Sequence, residues 1–233
     1  MSADRAAPAA SPRLALFDLD GTLLAGDTDA LWCAFLIDEG LLDRGTFAAA
    51  NRDVADRYAR GDIAPAEFAA FYAATLAGRS PAQWSPLRER FVATVIAPRI
   101  GAAAHALVAR HRDAGDRLVL TTATNRFLTE PIAALLGIAD LVATELEIRA
   151  SGAFTGGVAG IVNMRDGKLI RLAAWLAGEG LVGAALDDAT FYSDSINDLP
   201  LLDAVGVPIA VDPDARLRDE AARRGWRVIS LLG

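Results

Sequence analysis

Four apolar residues in a row, Leu14-Ala15-Leu16-Phe17, end abruptly at Asp18-Leu19-Asp20-Gly21-Thr22. A strand without polar alternation is buried on both faces, as in a parallel sheet. Two carboxylates at its carboxyl end can share one small volume if the chain turns there, and Gly21 permits the turn. Like charges that close must be offset by a cation if they are to be buried. A hard cation with oxygen ligands, Mg²⁺ above all, meets that need.

Similar short runs recur at 117–121, 141–144, 190–192, 208–211 and 227–230, and helical spacing of apolar residues lies between most of them: 102–114, 128–136, 169–177 and 215–224. Strand alternating with helix predicts an α/β fold, a doubly wound Rossmann-like parallel sheet. The gap after the first strand is too long for one crossover. It reads as four helices, at 29–37, 46–60, 65–76 and 86–95, separated by Gly40, Gly61 and Gly78. The expected organisation is therefore a loose tail over 1–13, a core of 14–25 with 97–233, and an inserted four-helix unit over 26–96. Ligands of open α/β sheets sit beyond the carboxyl ends of the strands, so this insertion would cover the site as a lid. Residues 145–150 and 153–157, joined by Ser151-Gly152, read as a hairpin projecting from the sheet.

Other polar groups fall at strand ends. Ser193-Asp194-Ser195-Ile196-Asn197-Asp198 follows the run at 190–192 and adds two acids. Thr121-Thr122-Ala123-Thr124-Asn125 ends the second strand with hydroxyls and backbone N–H groups before a helix, which suits an anion. Lys168 begins a further helix. A carboxylate nucleophile, a second carboxylate, metal-ligating acids, a hydroxyl and a lysine together suit phosphoryl transfer through an aspartyl-phosphate.

Composition narrows the partners. The chain carries 30 acidic and 23 basic residues, a formal charge of −7, which argues against nucleic acid and anionic membranes. No stretch of about 18 uncharged apolar residues occurs, so no membrane span is expected. Cys33 is the one cysteine, which excludes an internal disulfide and reads as core. His105 and His111 show no evident acid or hydroxyl partner and are assigned to surface or packing. The default location is the cytoplasm, and the chain is expected to act as a monomer or homodimer on a small phosphorylated metabolite.

With Asp18-Leu19-Asp20-Gly21-Thr22, Thr122, Lys168, and Asp194 with Asp198 in that order, the sequence resembles the haloacid dehalogenase superfamily of phosphatases. It is similar to the phosphoserine-phosphatase-like branch, which carries a helical cap after the first motif. The resemblance implies a Mg²⁺-dependent phosphomonoesterase. Asp18 would be the nucleophile and Asp20 the acid and base. Asp18, the Asp20 backbone carbonyl and Asp194 would bind the metal, and Asp198 would orient Lys168 or a metal water. Thr122 and Lys168 would hold the phosphoryl oxygens. Asp27, nine residues after Asp18, would meet a substrate amine, Ala123 would also touch the substrate, Asn125 would touch it or cap the helix that follows, and Asn197 would touch the substrate phosphate or the cap.

Phosphoserine phosphatases carry a cap arginine for the substrate carboxylate. Tyr72 aligns there, and Arg57, Arg60 and Arg79 do not match the pattern. An amino-alcohol phosphate without a carboxylate, such as histidinol phosphate, fits better. Some relatives with a Thr-Ala-Thr-Asn second motif are described as histidinol-phosphatases. Phosphoserine hydrolysis and a phosphotransferase or mutase with the same intermediate are the alternatives. Asp20 argues against carbon–halogen hydrolysis, which needs no leaving-group acid.

Overall fold

Alternate residues of each buried strand serve opposite faces of one sheet. Ala15 and Phe17 of β1 (Leu14–Phe17) join one apolar cluster, Leu14 and Leu16 the other. All four are at most 2% exposed. Full burial of each large side chain contributes about 1.5–3 kcal/mol. The computed structural model describes residues 12–181 and 183–231, so most of the expected tail lies outside the described residues.

After β1 come four inserted helices, α1 (Thr28–Asp38), α2 (Arg44–Arg60), α3 (Pro65–Ala74) and α4 (Pro81–Phe91). Then follow α5 (Ala102–Asp113), β2 (Arg117–Asn125), α6 (Arg126–Leu136), β3 (Asp140–Ile148), β4 (Phe154–Ala159), α7 (Asp166–Gly178), β5 (Thr190–Ser193), α8 (Leu199–Ala204), β6 (Val207–Val211), α9 (Ala215–Arg224) and β7 (Arg227–Ile229). The sheet runs β4-β3-β2-β1-β5-β6-β7. Every pairing is parallel except β3 with β4. Because β1 lies between β2 and β5, the carboxyl ends that carry the sequence motifs are neighbours. On one face α5 and α6 cover the sheet; on the other, α7, α8 and α9 do.

The inserted helices are set by local chemistry. The Asp27 side chain caps α1 by accepting from Ala30 N at 2.7 Å, and Asp43 caps α2 from Thr46 N at 2.8 Å. At the end of α2, Gly61 takes the left-handed conformation at φ 76°, which stops the helix. The fourth helix starts at Pro81, not at the expected Pro86. Ser80 and Gln83 form a reciprocal capping box, and Pro81 suits the first helical turn. Pro86 then costs a single backbone hydrogen bond inside the helix.

Two apolar cores serve the insertion. Cys33, Ile37, Val54, Ile63, Phe68 and Tyr72 pack together, with Val162 and Met164 from the sheet side. Trp32, Phe35, Trp84 and Phe91 form an aromatic group continuous with the α5–α6 face. The chain enters and leaves the insertion side by side, Ala25 N donating to Arg99 O at 3.1 Å.

The hairpin departs from expectation. Its second strand, β4, extends the sheet edge. Phe154 is 3% exposed against Phe127, and Gly156 lies so close to Ala74 and Ala77 that an added Cβ would stand 3.0 Å from Ala77 Cβ. It therefore buttresses α3 instead of projecting freely.

Candidate active site

At the carboxyl edge of the sheet, Lys168 Nζ donates to Asp18 Oδ1 at 2.8 Å and to Asp198 Oδ2 at 2.7 Å. All three side chains are nearly inaccessible to solvent. β1 delivers Asp18, the loop after β5 delivers Asp198, and the first turn of α7 delivers Lys168. Burial alone would lower the ammonium's affinity for its proton, but the two carboxylates outweigh it and hold Lys168 charged above the ordinary lysine range. Ser193 Oγ also donates to Asp198 Oδ2, at 2.7 Å.

Thr22 Oγ1 lies 3.2 Å from Asp194 Oδ1 and 3.4 Å from Asp18 Oδ2, bringing those acids to one hydroxyl. Gly21, at φ 75°, is the only residue type that fits the turn between them: a Cβ there would stand 2.2 Å from Asp194 Oδ2. Burial first, then Asp198 and Asp20 working against the pull of Lys168, pushes Asp18 up to about 7. Burial and then Asp18 push Asp194 up as well. A donor set with so much unneutralised negative charge fits a divalent cation. Among the described residues no three His, Cys, Asp or Glu side chains converge on a metal position. The inferred set of Asp18, Asp194 and the Asp20 backbone carbonyl needs only two carboxylates.

Asp20 is held by hydroxyls. Its Oδ1 accepts from Thr28 N at 2.7 Å and from the Thr28 hydroxyl, and its Oδ2 from Thr124 Oγ1 at 2.8 Å and Thr122 Oγ1 at 3.4 Å. Burial, with repulsion from Asp27, raises Asp20 to about 6 against these hydrogen bonds. A carboxyl poised there exchanges a proton readily near neutral pH.

Over these acids opens a cavity of about 260 Å³ lined by Asp20, Gly21, Gly26, Asp27, Ala55, Tyr58, Asp194, Ser195 and Asp214. Asp27 caps α1 and lines this space as well. None of the lining residues is basic. Arg57 pairs with Glu67, Arg60 with Asp62, and Arg79 stacks on Trp84, while the Tyr72 hydroxyl donates to Asn51 Oδ1 at 3.0 Å.

Other expected contacts fall elsewhere. Asn125 is not in the cavity lining. Its Oδ1 caps α6 from Leu128 N at 3.1 Å, and its Nδ2 donates to buried Asp29 at 3.3 Å. Asn197 takes the second of its two expected places, against the inserted helix α2, with Nδ2 3.4 Å from Tyr58 O. The Ala123 carbonyl accepts from Thr144 Oγ1 at 2.7 Å. His111 does have partners: Nδ1 lies 2.7 Å from Asp116 Oδ2 and Nε2 2.8 Å from the Tyr192 hydroxyl. The second partner is 81 positions away, so only the fold could reveal it. Sequence reading also missed Tyr58, Asp29 and Arg165. No local spacing marks them, because their partners come from other elements.

A buried carboxyl directly after β1, a lysine clamp and a hydroxyl-held second acid meet at the carboxyl edge of a doubly wound sheet. The haloacid dehalogenase-like hydrolase model matches residues 15–203, and the chain belongs to that family. Among curated relatives, a histidinol-phosphatase of Neisseria meningitidis serogroup C (strain 8013) is 38% identical over 217 residues, 93% of this chain and 98% of that protein. The phosphoserine phosphatase SerB1 of Mycobacterium tuberculosis (strain ATCC 25618 / H37Rv) is 34% identical over 97% of this chain and 73% of its own length. A Bordetella pertussis Tohama I protein of unknown function superposes with TM-score 0.87 at 42% identity, covering 94% of this chain and 99% of that one. A substrate-bound phosphoserine phosphatase superposes with TM-score 0.68 over 96% of this chain and 94% of that one. At 17% identity this is a likeness of fold. No single helix among the described residues is long and apolar enough to cross a membrane.

Proposed function

We propose that this phosphatase hydrolyses the phosphomonoester of a small amino-alcohol, histidinol phosphate being the best fit, through an aspartyl-phosphate on Asp18. The observation that carries the reading is the buried Asp18–Lys168–Asp198 array beside a second, hydroxyl-held carboxyl, Asp20. Asp18 attacks phosphorus as the bond to the leaving alcohol oxygen breaks, and Asp20 gives its proton to that oxygen. Asp20, now a carboxylate, takes a proton from water, whose oxygen attacks the phosphorus. The Asp18–phosphorus bond breaks, phosphate leaves, and Asp20 ends protonated as it began. Lys168 stays charged throughout and offsets the repulsion between Asp18 and the anionic ester. Asp18, Asp194 and the Asp20 carbonyl would hold Mg²⁺, which supplies positive charge to the phosphoryl oxygens.

The acidic, base-free lining of the cavity supports a cationic substrate head. Asp27 would receive the amine, and the Tyr58 ring would lie against an imidazole. The histidinol-phosphatase relative supports the same choice, and the phosphoserine phosphatase relative keeps phosphoserine as the second candidate. Residues 26–96 would act as the cap, with the protein working in the cytoplasm as a monomer or homodimer.

The test is Mg²⁺-dependent phosphate release from histidinol phosphate, phosphoethanolamine, phosphoserine and p-nitrophenyl phosphate, with Asp18→Asn as control. Preference for histidinol phosphate, abolished by EDTA and by the substitution, is the expected result. Preference for phosphoserine would overturn the substrate assignment, and no release from any ester would overturn the hydrolase reading.

A further inference from the structure

Arg165 is one of two described non-glycine residues with positive φ, at 54° with ψ −128°. A residue with a Cβ rarely holds that conformation, and where one does the surroundings must enforce it. Here the enforcement is visible. Arg165 Nη2 donates to Gly61 O at 2.7 Å, and Nε to Asn197 Oδ1 at 3.2 Å. Asn197 Nδ2 reaches Tyr58 O at 3.4 Å, and Arg216 Nη1 donates to Arg60 O at 3.1 Å. Tyr58 O, Arg60 O and Gly61 O are the last carbonyls of α2 and its cap, which carry the negative end of the helix dipole and attract a guanidinium. Asn197 stands between Asp194 and Asp198, and Tyr58 lines the cavity. Arg165 also stands three residues before Lys168 in the chain.

We infer that Arg165 is a positioning residue: it fastens the carboxyl-terminal end of α2 to the loop bearing Asp194 and Asp198, and thereby sets where Tyr58 stands over the substrate. The inference rests on the phosphatase reading for its kinetic consequence, but its structural half does not. Arg216 is exposed and makes one such contact, so it assists without replacing Arg165, which alone among the described residues donates to both Gly61 O and Asn197 Oδ1.

The experiment compares wild type with Arg165→Ala, Arg165→Lys and Arg165→Gly. Hydrogen exchange of residues 52–61 is read alongside kcat and KM on histidinol phosphate and on p-nitrophenyl phosphate, whose leaving group carries no amine. Arg165→Ala should accelerate exchange at the end of α2. It should raise KM for histidinol phosphate so that kcat/KM on that ester falls about tenfold further than on p-nitrophenyl phosphate. Arg165→Lys, with one donor group for two acceptors, should recover part of the loss. Arg165→Gly relieves the backbone while removing the guanidinium, so it should fold even if the alanine variant does not, with the alanine kinetics. Unchanged exchange in α2 would overturn the inference, as would equal losses of kcat on both esters, which would assign Arg165 to the Lys168 array instead. Wild type inactive on both esters would refute the phosphatase reading and leave the exchange result to decide the fastening.

Discussion

Removing the Lys168 ammonium tests whether the Asp18–Lys168–Asp198 array holds the fold together as well as serving chemistry. In Lys168→Met the stem is nearly isosteric, so little packing is lost, but two carboxylates that shared one cation at 2.8 and 2.7 Å are left buried without it. Stripping one partner from a buried ion pair costs about 3–5 kcal/mol. In a chain of this size each kcal/mol lowers Tm by about 2–4 °C, so the expected fall is roughly 6–20 °C. The assay is thermal unfolding followed by circular dichroism at neutral pH in EDTA. Adding Asp198→Asn removes one of the stranded charges, so the double variant should be more stable than Lys168→Met alone, a coupling read from the double-mutant cycle. Phosphatase activity should vanish in both, so activity does not discriminate. A Tm within about 2 °C of wild type, or a double variant less stable than the single, would refute the reasoning.

Three further outcomes rest on two buried groups and one close backbone approach. Burial, then Asp27 and Asp20, raise Asp29 well above its ordinary 3.8. As pH rises past that value the unfolded side chain loses its proton while the buried one keeps it, so wild type loses stability. Asp29→Asn does not titrate, so the difference in Tm should move in the variant's favour as pH rises above 3.8. Burial and then Asp29 push the Cys33 thiol up to about 11, so a disulfide reagent at pH 8 should react only after unfolding in denaturant. Gly206→Ala would put a Cβ 1.7 Å from the backbone oxygen of Asp187. Its cost of about 1–3 kcal/mol or more should appear as a lower urea midpoint with KM unchanged.

The sheet was legible because parallel strands buried on both faces leave uninterrupted apolar runs. The runs at 14–17 and 208–211 needed no partner to be recognised as β1 and most of β6. Helix α9, 215–224, was legible to the residue, bounded by capping Asp214 and by Gly225. Asp18, Asp20, Lys168 and Asp198 were found as candidates because each sits at a strand or helix end, where sequence order predicts position. The start of α4 was misread because Pro86 looked like a boundary and the Ser80–Gln83 box was overlooked. Tyr58, Arg165 and the His111–Tyr192 contact were illegible for another reason. Each acquires its meaning from a partner brought by a separate element, and a side chain's own neighbours in sequence carry no record of that partner.

The hydrogen bond from Ala25 to Arg99 has a kinetic consequence. Phe17 must find Leu120, a hundred positions further along, before the centre of the sheet exists. Closing a loop of that length is slow in chains whose contacts are distant. Helices α1–α4 fill that interval, and in the folded chain the two ends leaving them lie together, Ala25 N donating to Arg99 O. The search between β1 and β2 then spans a short effective loop, which lowers its entropic cost by about 1 kcal/mol. The segment that interrupts the sheet therefore brings the two strands it separates within reach of each other wherever its own ends are joined.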